Sequence, residues 1–546
     1  MGWLRRQLAR LAAFAETRGG TIAVFVAALA VWWIQAIAMP LAGGRDFGTY
    51  VGAFVELFQS DPIDLGYVLG RTPIAPLVTG GVLAPFDGAL AEPGMSLLYA
   101  GSILAWFLAA RRFGGAAALL TAVVLLAYPS YGILFHEIAS DSVFAIAFAG
   151  WALLAVRVVD RPTTAGFVAL GAGVGALTLV RPLNQVLVVL VVLAFVLGAT
   201  WRSRIGWAVA YVVPLVAVLG LWTVHNGVRF GDYTVSRAGN TNWPIYRVYL
   251  FDKLVRPDNG PSSRAMADAV REDLLANEPY RSYGITLDRF FEDPSARMLE
   301  DLGALSNRRW GWHSDQKILR EIAFEAIRTH PGPYARGVAT TVGELLTKSV
   351  YRPLDSASGS ADDGGGSDGG SGDGGGGGGE TIVVNGKVLP KPSEGEAIPG
   401  AREGGPTTPD NSIRTVWTSP YEHHLVFDRP EDKVRYDQLH ADVERIAGGL
   451  PDRSGNRSLA LALNRASRWY PPPLLWLLIG VVALVWRRPA KILALSTPAV
   501  AALVVVVMVA LGAPAITHFS VPVLPAFALL MGGALFGAKR TREPRA

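Results

Sequence analysis

The stretch "TIAVFVAALAVWWIQAIAM", residues 21–39, decides the class of this protein. It is almost entirely apolar, and a helix of about 20 such residues spans the hydrocarbon core of a bilayer. Arginines precede it at positions 5, 6, 10 and 18. Its length and the many later apolar runs favour an uncleaved anchor over a signal peptide. The composition agrees, because only 17% of the 546 residues are charged and the mean hydropathy is +0.31.

Ten apolar stretches predict a mainly α, polytopic membrane protein of about ten transmembrane helices with interfacial helices. The stretches lie at 21–39, 94–110, 115–132, 138–156, 163–180, 183–199, 206–224, 472–486, 492–511 and 519–537. With this count every basic cluster falls on one side, which the positive-inside rule makes cytoplasmic. A further apolar stretch, 72–86, has three prolines and two adjacent glycines, so we expect it to lie in the interface or dip into it.

The spans predict a multi-pass protein of the cell membrane (inner or plasma membrane), with both termini cytoplasmic and the large loop extracytoplasmic. The extracytoplasmic region is expected to be α/β or irregular. The expected parts are a seven-span module, 1–224, with a first outer loop, 40–93; a mostly helical outer region, 225–354; a disordered Gly/Asp/Ser linker, 355–380; a second outer segment, 381–470; and a three-span module, 471–546.

Local patterns refine the outer parts. Hydrophobic spacing predicts a helix at 314–329, a break at His330-Pro331-Gly332 and a second helix to about 348. "TIVVNGKVL" predicts short strands about an Asn385-Gly386 turn, and a charged helix follows near 429–447. The chain has no cysteine, which excludes disulfides, thiolate metal sites and cysteine nucleophiles.

The first outer loop contains "GGRDFGTYVGAFVELFQSD", residues 43–61. After Asp46, apolar residues follow the i, i+3, i+4, i+7 spacing of an amphipathic helix that lies on the outer leaflet. Two interpretations of Asp46 stay open. Aspartate is a favoured helix N-cap, and an ionisable group at the end of a span is also a functional candidate.

Two later outer segments carry similar candidates. In "HEIASDS", 136–142, Glu137 and Asp141 share a helix face beside His136, although acidic residues also suit a first helical turn. In "LVRPLNQ", 179–185, Arg181 breaks the basic-inside trend. It is interpreted either as a phosphate ligand or as an arginine that snorkels to lipid head groups.

The segment "HNGVRFGDYTVSRAGNTNWPIYR", 225–247, is rich in His, Asn and Arg. That composition suits a polar ligand, but surface loops share it. His518, at the outer end of the last span, is a lone histidine, which is more often structural than a ligand. The sequence has no P-loop, HExxH, nucleophile elbow or Rossmann fingerprint. An enzyme of this sequence would therefore work at the outer face on a substrate drawn from the membrane.

The order of these motifs resembles the GT-C superfamily of membrane glycosyltransferases. The closest resemblance is to the branch of protein O-mannosyltransferase and lipid A aminoarabinose transferase homologues. The resemblance covers about two thirds of the chain and excludes roughly 350–470. The similar pieces are "GGRDFGTYV", "GRTPIAPLV", "EIASDSVFA", "LTLVRP", "HNGVRFGDYTVSRAGN", the helix with "HPGPY", and "HFSVPVLP".

The resemblance implies an inverting transfer of a sugar from a polyprenyl-phosphate-linked donor to an acceptor hydroxyl on the extracytoplasmic face. Asp46 would be the general base, with Asp141 and Glu137 as further catalytic carboxylates. The candidate substrate-binding residues are Arg45, Tyr50, Arg71, His136, Arg181, Asn184, Asn226, Arg237, Arg247 and His518. The expected partners are this donor, a lipid, glycan or protein acceptor, and the bilayer, with no nucleic acid. No cofactor is assigned, and a requirement for a divalent metal ion stays open.

Two other functions were weighed against this one. A transporter or lipid flippase would place charged residues near the bilayer midplane and often shows repeated halves. Here the polar residues cluster at outer span ends, and seven predicted spans precede the large loop whereas three follow it. A scaffold or receptor would explain the large loop, but it would not explain acidic residues and an arginine gathered on one side.

Overall fold

The computed structural model describes residues 2–59, 63, 65–237, 244–314, 316–351, 381–384, 387–390, 412–417 and 423–538. The predicted linker 355–380 and the predicted turn at 385–386 lie outside these residues. The described chain is predominantly helical, with several long apolar helices. The prediction of a mainly α polytopic membrane protein is confirmed.

The first 230 residues form twelve α-helices and two very short strands. In chain order they are α1 (Gly2–Ala15), α2 (Arg18–Ala38), β1 (Ala42–Gly43), α3 (Phe47–Phe58), α4 (Tyr67–Gly70), α5 (Ile74–Leu83), α6 (Ala91–Arg111), α7 (Gly115–Leu126), α8 (Pro129–Ile133), β2 (Glu137–Ile138), α9 (Ser140–Asp160), α10 (Thr164–Val180), α11 (Val192–Leu197) and α12 (Trp201–Phe230). Short 3-10 helices lie at Pro85–Gly88, Leu134–His136 and Pro182–Val191.

The later described residues form the predicted outer regions and the last apolar helices. In chain order the elements are α13 (Pro261–Ala269), α14 (Tyr280–Tyr283), α15 (Leu287–Glu292), α16 (Ala296–Trp310), α17 (Lys317–Thr329), α18 (Pro331–Thr347), β3 (Thr381–Val384), β4 (Lys387–Pro390), β5 (Ile413–Trp417), β6 (His423–Phe427), α19 (Pro430–Ala447), α20 (Arg457–Trp469), α21 (Pro473–Arg487), α22 (Ile492–Gly512) and α23 (Pro525–Phe536). π-helical turns lie at Tyr246–Phe251 and Val270–Leu275, and 3-10 turns at Trp312–Ser314 and Thr517–Phe519.

The predicted count of ten spans is not confirmed. Among the described residues, six helical stretches are long and apolar enough to cross a membrane. A bent pair, Gly115–Leu126 with Pro129–His136, would make seven, with a bend of 71°. Helices are present at the predicted spans 163–180, 183–199 and 519–537, but they are shorter. Prolines account for part of this, since Pro182 opens a 3-10 segment and α23 begins only at Pro525.

The segment 72–86 contains α5, a helix of 10 residues. At 1.5 Å per residue it is about 15 Å long, which is half of a hydrocarbon core of about 30 Å. It packs against α3, so this apolar stretch does not cross the membrane by itself. The structure therefore agrees with the expectation that 72–86 is not a span.

The region that follows α12, predicted to be extracytoplasmic, has a core of its own. Its buried side chains include Tyr249, Phe290, Met298, Leu305 and Leu319. The two helices predicted around His330-Pro331-Gly332 are α17 and α18, and proline at the start of α18 separates them.

The strands pair in three separate two-stranded ladders. The predicted strand pair is present, because β3 and β4 are antiparallel, as are β5 and β6. The charged helix predicted near 429–447 is α19. The third ladder joins distant segments, since β1 pairs in parallel with β2.

Two of the predicted cytoplasmic clusters, Arg111-Arg112 and the one that includes Lys491, meet at one end of the helix bundle. A cavity of about 590 Å³ is lined there by Glu16, Arg111, Arg112, Lys491 and Ala538, among others. Lys491 also pairs with Asp160 at the end of α9, with 2.8 Å between Nζ and the carboxylate. None of the predicted site residues lines this cavity, in keeping with their expected position at the other face.

Candidate active site

The ladder between β1 and β2 brings the first outer loop to the start of α9. Ala42 lies opposite Glu137 and Gly43 opposite Ile138, and the Gly44 N–H donates to the Ile138 carbonyl at 3.2 Å. A Cβ at Gly44 would lie 2.9 Å from the Cβ of Ala139 and 3.0 Å from that of Glu137. Only glycine fits this approach, which places Asp46 two residues beyond the ladder.

Asp46 precedes α3 but does not cap it with its side chain. Its backbone is left-handed (φ 60°), which aspartate tolerates better than most residues, and its carboxylate makes no capping hydrogen bond. The carboxylate instead pairs with Arg71, with 3.1 Å between Oδ2 and Nη2. The side chain is 37% exposed. The interpretation of Asp46 as a side-chain N-cap is therefore wrong, because the left-handed backbone aims the carboxylate at Arg71.

The charges around Asp46 act on its acidity. Burial alone would raise the pKa of Asp46, but the Arg71 and Arg45 guanidiniums outweigh it, so the pKa lies below its ordinary value. Burial and the charge of Asp46 raise the pKa of Tyr50, while Arg71, a hydrogen bond with Ser140 and Arg181 act in the opposite direction. Tyr50 therefore lies between the Asp46–Arg71 pair and the groups at the start of α9.

The second ion pair of the cluster joins α9 to the end of α10. Arg181 Nη2 donates to Asp141 Oδ1, and its Nε and Nη2 each lie 3.2 Å from the hydroxyl of Ser140. The side chains are 15% and 5% exposed for Arg181 and Asp141. The guanidinium also lies over the rings of Phe144 and Phe519, at 5.3 and 5.7 Å from their centroids. This pair is far less accessible than Asp46 and Arg71.

Arg45 contacts the segment before the last helix. Its Nη1 lies 3.2 Å from His518 Nε2, and its Nη2 donates to the Tyr246 hydroxyl at 3.2 Å. Because arginine has only donors, Nε2 of His518 is the acceptor if the two groups form a hydrogen bond. Arg45 also lies 6.0 Å from the centroid of Phe519.

Glu137 lies beside this cluster in β2. Its Oε2 accepts a hydrogen bond from the Tyr351 hydroxyl at 2.8 Å. Burial first, and then the charges of Glu137 and Asp141, raise the pKa of Tyr351 well above its ordinary value. Tyr351 stays a neutral donor, which leaves Glu137 with a fixed orientation rather than a free carboxylate.

Seven predicted residues thus come together in a group that we call the outer cluster. Its members are Arg45, Asp46, Tyr50, Arg71, Asp141, Arg181 and His518. Glu137 is adjacent to it through Tyr351 and the ladder. The cluster places three guanidiniums around two carboxylates, an arrangement that suits an anionic ligand and a proton acceptor.

The structure does not bring the other predicted residues to the outer cluster. Arg237 donates to Asn307 and to the Trp312 carbonyl, and it stacks on the Trp312 ring at 3.6 Å. Arg247 pairs with Asp252 and donates to the Ala510 and Ala513 carbonyls. Both are buried and bonded to protein groups outside the outer cluster. Their contact with substrate stays a prediction.

Three further predicted residues have their contacts outside the outer cluster. The Asn184 amide donates to the Leu177 carbonyl at 2.9 Å and so closes the end of α10. The Asn226 amide donates to the Thr234 carbonyl at 2.8 Å. His136 is buried and stacks on Trp32, with 4.3 Å between ring centroids. These contacts terminate a helix, close a loop and pack the core, and the role of the three residues as substrate ligands stays a prediction.

Four members of the surroundings were missed in the sequence. They are Ser140, Tyr246, Tyr351 and Phe519. Ser140 could have been found, because it directly precedes Asp141 in "HEIASDS". Within the described ranges, no group of three or more His, Asp or Glu side chains is placed to hold a metal ion.

Comparison with known protein families gives a match to the segment that contains Asp141 and Arg181 of the outer cluster. Residues 93–223 match the sequence model of a family described as Dolichyl-phosphate-mannose-protein mannosyltransferase. The match covers less than half of the chain, so it is a similarity of this segment to that family. The matched segment contains Glu137, Asp141 and Arg181, whereas Asp46 precedes it.

Two solved structures are also similar to this chain. They are crystal structures of ArnT from Cupriavidus metallidurans, one bound to undecaprenyl phosphate and one in the apo state. Each is 15% identical and the comparison covers 95% of this chain and 78% of the other chain. The TM-scores are 0.34 and 0.31. No curated protein matches the chain.

Proposed function

We propose that this protein is a membrane glycosyltransferase that moves a sugar from a polyprenyl-phosphate-linked donor to an acceptor hydroxyl, with Asp46 as general base. The observation that carries the proposal is the partly exposed carboxylate of Asp46, which is paired with Arg71 inside the outer cluster. A lipid-linked donor reaches such a site from the bilayer, and the family match supports a lipid-phosphate sugar as its class. The acceptor approaches from the water side.

The reaction then needs two functions from the cluster. The acceptor oxygen attacks the anomeric carbon while the bond from that carbon to the phosphate oxygen breaks. The acceptor proton passes to Asp46, and polyprenyl phosphate leaves with the bonding electrons. Charge grows on the departing phosphate, so guanidiniums placed around it stabilise the transition state. The candidates for these guanidiniums, from the most to the least accessible, are Arg71, Arg45 and Arg181.

The charges of the arginines oppose the function of Asp46 as a base. Arg71 and Arg45 hold the pKa of Asp46 low, which makes the carboxylate a weak proton acceptor. A bound phosphate would offset their charge and raise the pKa of Asp46. Donor binding would thus convert Asp46 into a better base at the moment when the base is required.

The direct test is turnover by the purified protein in lipid nanodiscs. The probes are polyprenyl phosphates that carry mannose, glucose or an aminopentose, each offered with a membrane extract as acceptor source. The expected result is release of polyprenyl phosphate from at least one probe, detected by mass spectrometry. Absence of release from every probe, by protein that is folded, would contradict the proposal.

Replacing Arg71 by glutamine is expected to move the acidic limb of the pH profile of kcat/KM to higher pH. Asp46 must be ionised to act as base, and Arg71 lowers its pKa, so activity at low pH depends on Arg71. Without this guanidinium, burial dominates and the pKa of Asp46 rises. Arg71→Lys, which keeps the charge, should leave the limb nearer its original position. An unchanged limb in Arg71→Gln would show that Asp46 is not the titrating base.

Replacing Arg45 by methionine is expected to weaken binding of polyprenyl phosphate about tenfold, or about 1.4 kcal/mol, because a charge-assisted contact is lost. The measurement is titration with a fluorescent polyprenyl phosphate in detergent, which needs no knowledge of the sugar. Arg271→Met is the matched control, since Arg271 forms an exposed pair with Asp268. Equal affinities for the parent and Arg45→Met would remove Arg45 from the phosphate site.

A further inference from the structure

Glu56 is a fully buried carboxyl group in the helix that begins after Asp46. Its two oxygens accept different backbone N–H groups. Oε1 accepts from Leu65 at 3.1 Å, and Oε2 accepts from Val68 at 2.9 Å. Burial of a carboxyl group is unfavourable unless such bonds satisfy it. These bonds therefore hold a specific piece of backbone at a specific place.

That piece of backbone leads directly to Arg71. Val68 lies in the first turn of α4, which has only four residues and ends at Gly70, immediately before Arg71. A single turn is not stable alone, so its position depends on the groups that satisfy its N-terminus. In α4 the carboxyl group of Glu56 takes the place of an N-cap side chain, because the residue before it is Gly66.

Other contacts make this arrangement rigid. A Cβ at Gly52 would lie 2.7 Å from the ring of Tyr67, so α3 and α4 are in close contact. At the end of α3, Arg229 of α12 donates to the Glu56 carbonyl at 3.0 Å. Asp46 thus directly precedes α3, and Glu56, near the end of the same helix, holds the backbone that leads to Arg71.

We infer that Glu56 is a positioning residue that sets Arg71 against Asp46. It acts through backbone hydrogen bonds to α4 and does not touch the reacting groups. The inference rests on the proposed function for its catalytic meaning, but the placement of Arg71 is a separate, measurable claim. A group that merely stabilised the fold would not act through Arg71 in particular.

The first experiment is a double-mutant cycle with Glu56→Gln and Arg71→Gln. Glutamine keeps the shape but turns one acceptor oxygen into a donor that faces a backbone N–H. We expect Glu56→Gln to lower kcat/KM at least about tenfold, because small displacements of a catalytic contact are costly. Its acidic limb should shift in the same direction as that of Arg71→Gln. In the Arg71→Gln background the further loss should be less than about twofold.

Glu325→Gln is the matched control. Its carboxylate accepts from the Ser262 and Ser263 N–H groups at 3.0 and 2.8 Å, at the start of α13. It is therefore the same kind of helix-end contact, remote from the outer cluster. This variant should lower thermal stability without moving the pH profile. The inference would be overturned if the losses of kcat/KM in Glu56→Gln and Arg71→Gln multiplied fully in the double variant. It would also be overturned if the acidic limb of the pH profile did not move in Glu56→Gln.

The second experiment reads the position without turnover. The chain has no cysteine, so Gly48→Cys and Gly70→Cys can carry a pair of nitroxide labels without background. A Cβ at either glycine meets nothing within 4 Å. The label pair should show spin–spin broadening that weakens on Glu56→Gln and not on Glu325→Gln.

The two experiments separate the two claims. Unchanged broadening in Glu56→Gln overturns the positioning role, whether or not the protein turns over a donor. Weakened broadening with no turnover of any donor by the parent would contradict the proposed function and leave the positioning of Arg71 by Glu56 supported.

Discussion

Asp46→Asn is expected to lower kcat for polyprenyl-phosphate release by about 100- to 10,000-fold, the range for loss of a positioned general base. Asparagine has nearly the same shape but cannot accept the acceptor proton. The low pKa of Asp46 means that the carboxylate is ionised over the neutral range, so the parent enzyme loses nothing there to protonation. The measurement is single-turnover release in nanodiscs, with donor at saturating concentration.

We expect Asp46→Asn to lose catalytic activity but to keep its folded structure. The Asp46–Arg71 pair is partly exposed, and such pairs contribute about 0–1 kcal/mol to stability. Asp46→Asn should therefore unfold at nearly the parent temperature and still bind polyprenyl phosphate. Asp268→Asn, in an exposed pair of the outer region, is the control and should keep parent activity. Parent-like turnover by Asp46→Asn would eliminate the base mechanism.

The second large effect concerns the buried pair of Asp141 and Arg181. Arg181→Met is expected to reduce the free energy of unfolding by about 3–5 kcal/mol, because it leaves the carboxylate of Asp141 buried without its partner. Asp141→Asn combined with Arg181→Met removes both charges, so most of this stability should return. Activity should remain low in both variants if Arg181 stabilises the departing phosphate.

This pair therefore separates stability from function. The measurements are thermal unfolding in detergent and turnover on the same preparations. Arg271→Met, which breaks an exposed pair, should change the free energy of unfolding by no more than about 1 kcal/mol. Return of activity together with stability in the double variant would assign Arg181 to folding alone.

The parts that the sequence could predict are those that local rules control. The helix α3 follows from its apolar spacing, and the break between α17 and α18 follows from Pro331. Asp46, Asp141 and Arg181 were found because charged residues at span ends are rare and tend to share one face. The structure brings these three residues together through the β1–β2 ladder and the end of α10.

The remaining parts depend on contacts that no local pattern encodes. Local sequence does not distinguish Arg237 and Arg247 from Arg45. Their hydrogen-bond partners, Trp312 and Ala510, lie far along the chain. Tyr351 likewise reaches Glu137 from a distant segment. The count of ten spans is not confirmed, partly because hydropathy does not distinguish a regular helix from the 3-10 segment at Pro182–Val191.

The parallel β1–β2 ladder also determines where Asp46 lies relative to the start of α9. The last backbone bond, from Gly44 to Ile138, fixes the chain two residues before Asp46. Consecutive Cα atoms are about 3.8 Å apart, so one extra residue between Gly44 and Asp46 would displace the carboxylate by more than a hydrogen-bond length. The position of Asp46 is thus set partly by the length of the chain between Gly44 and Asp46. We expect a variant with one residue inserted between Gly44 and Asp46 to be inactive, although it keeps every reactive group. Such a variant is a negative control that separates donor binding from sugar transfer.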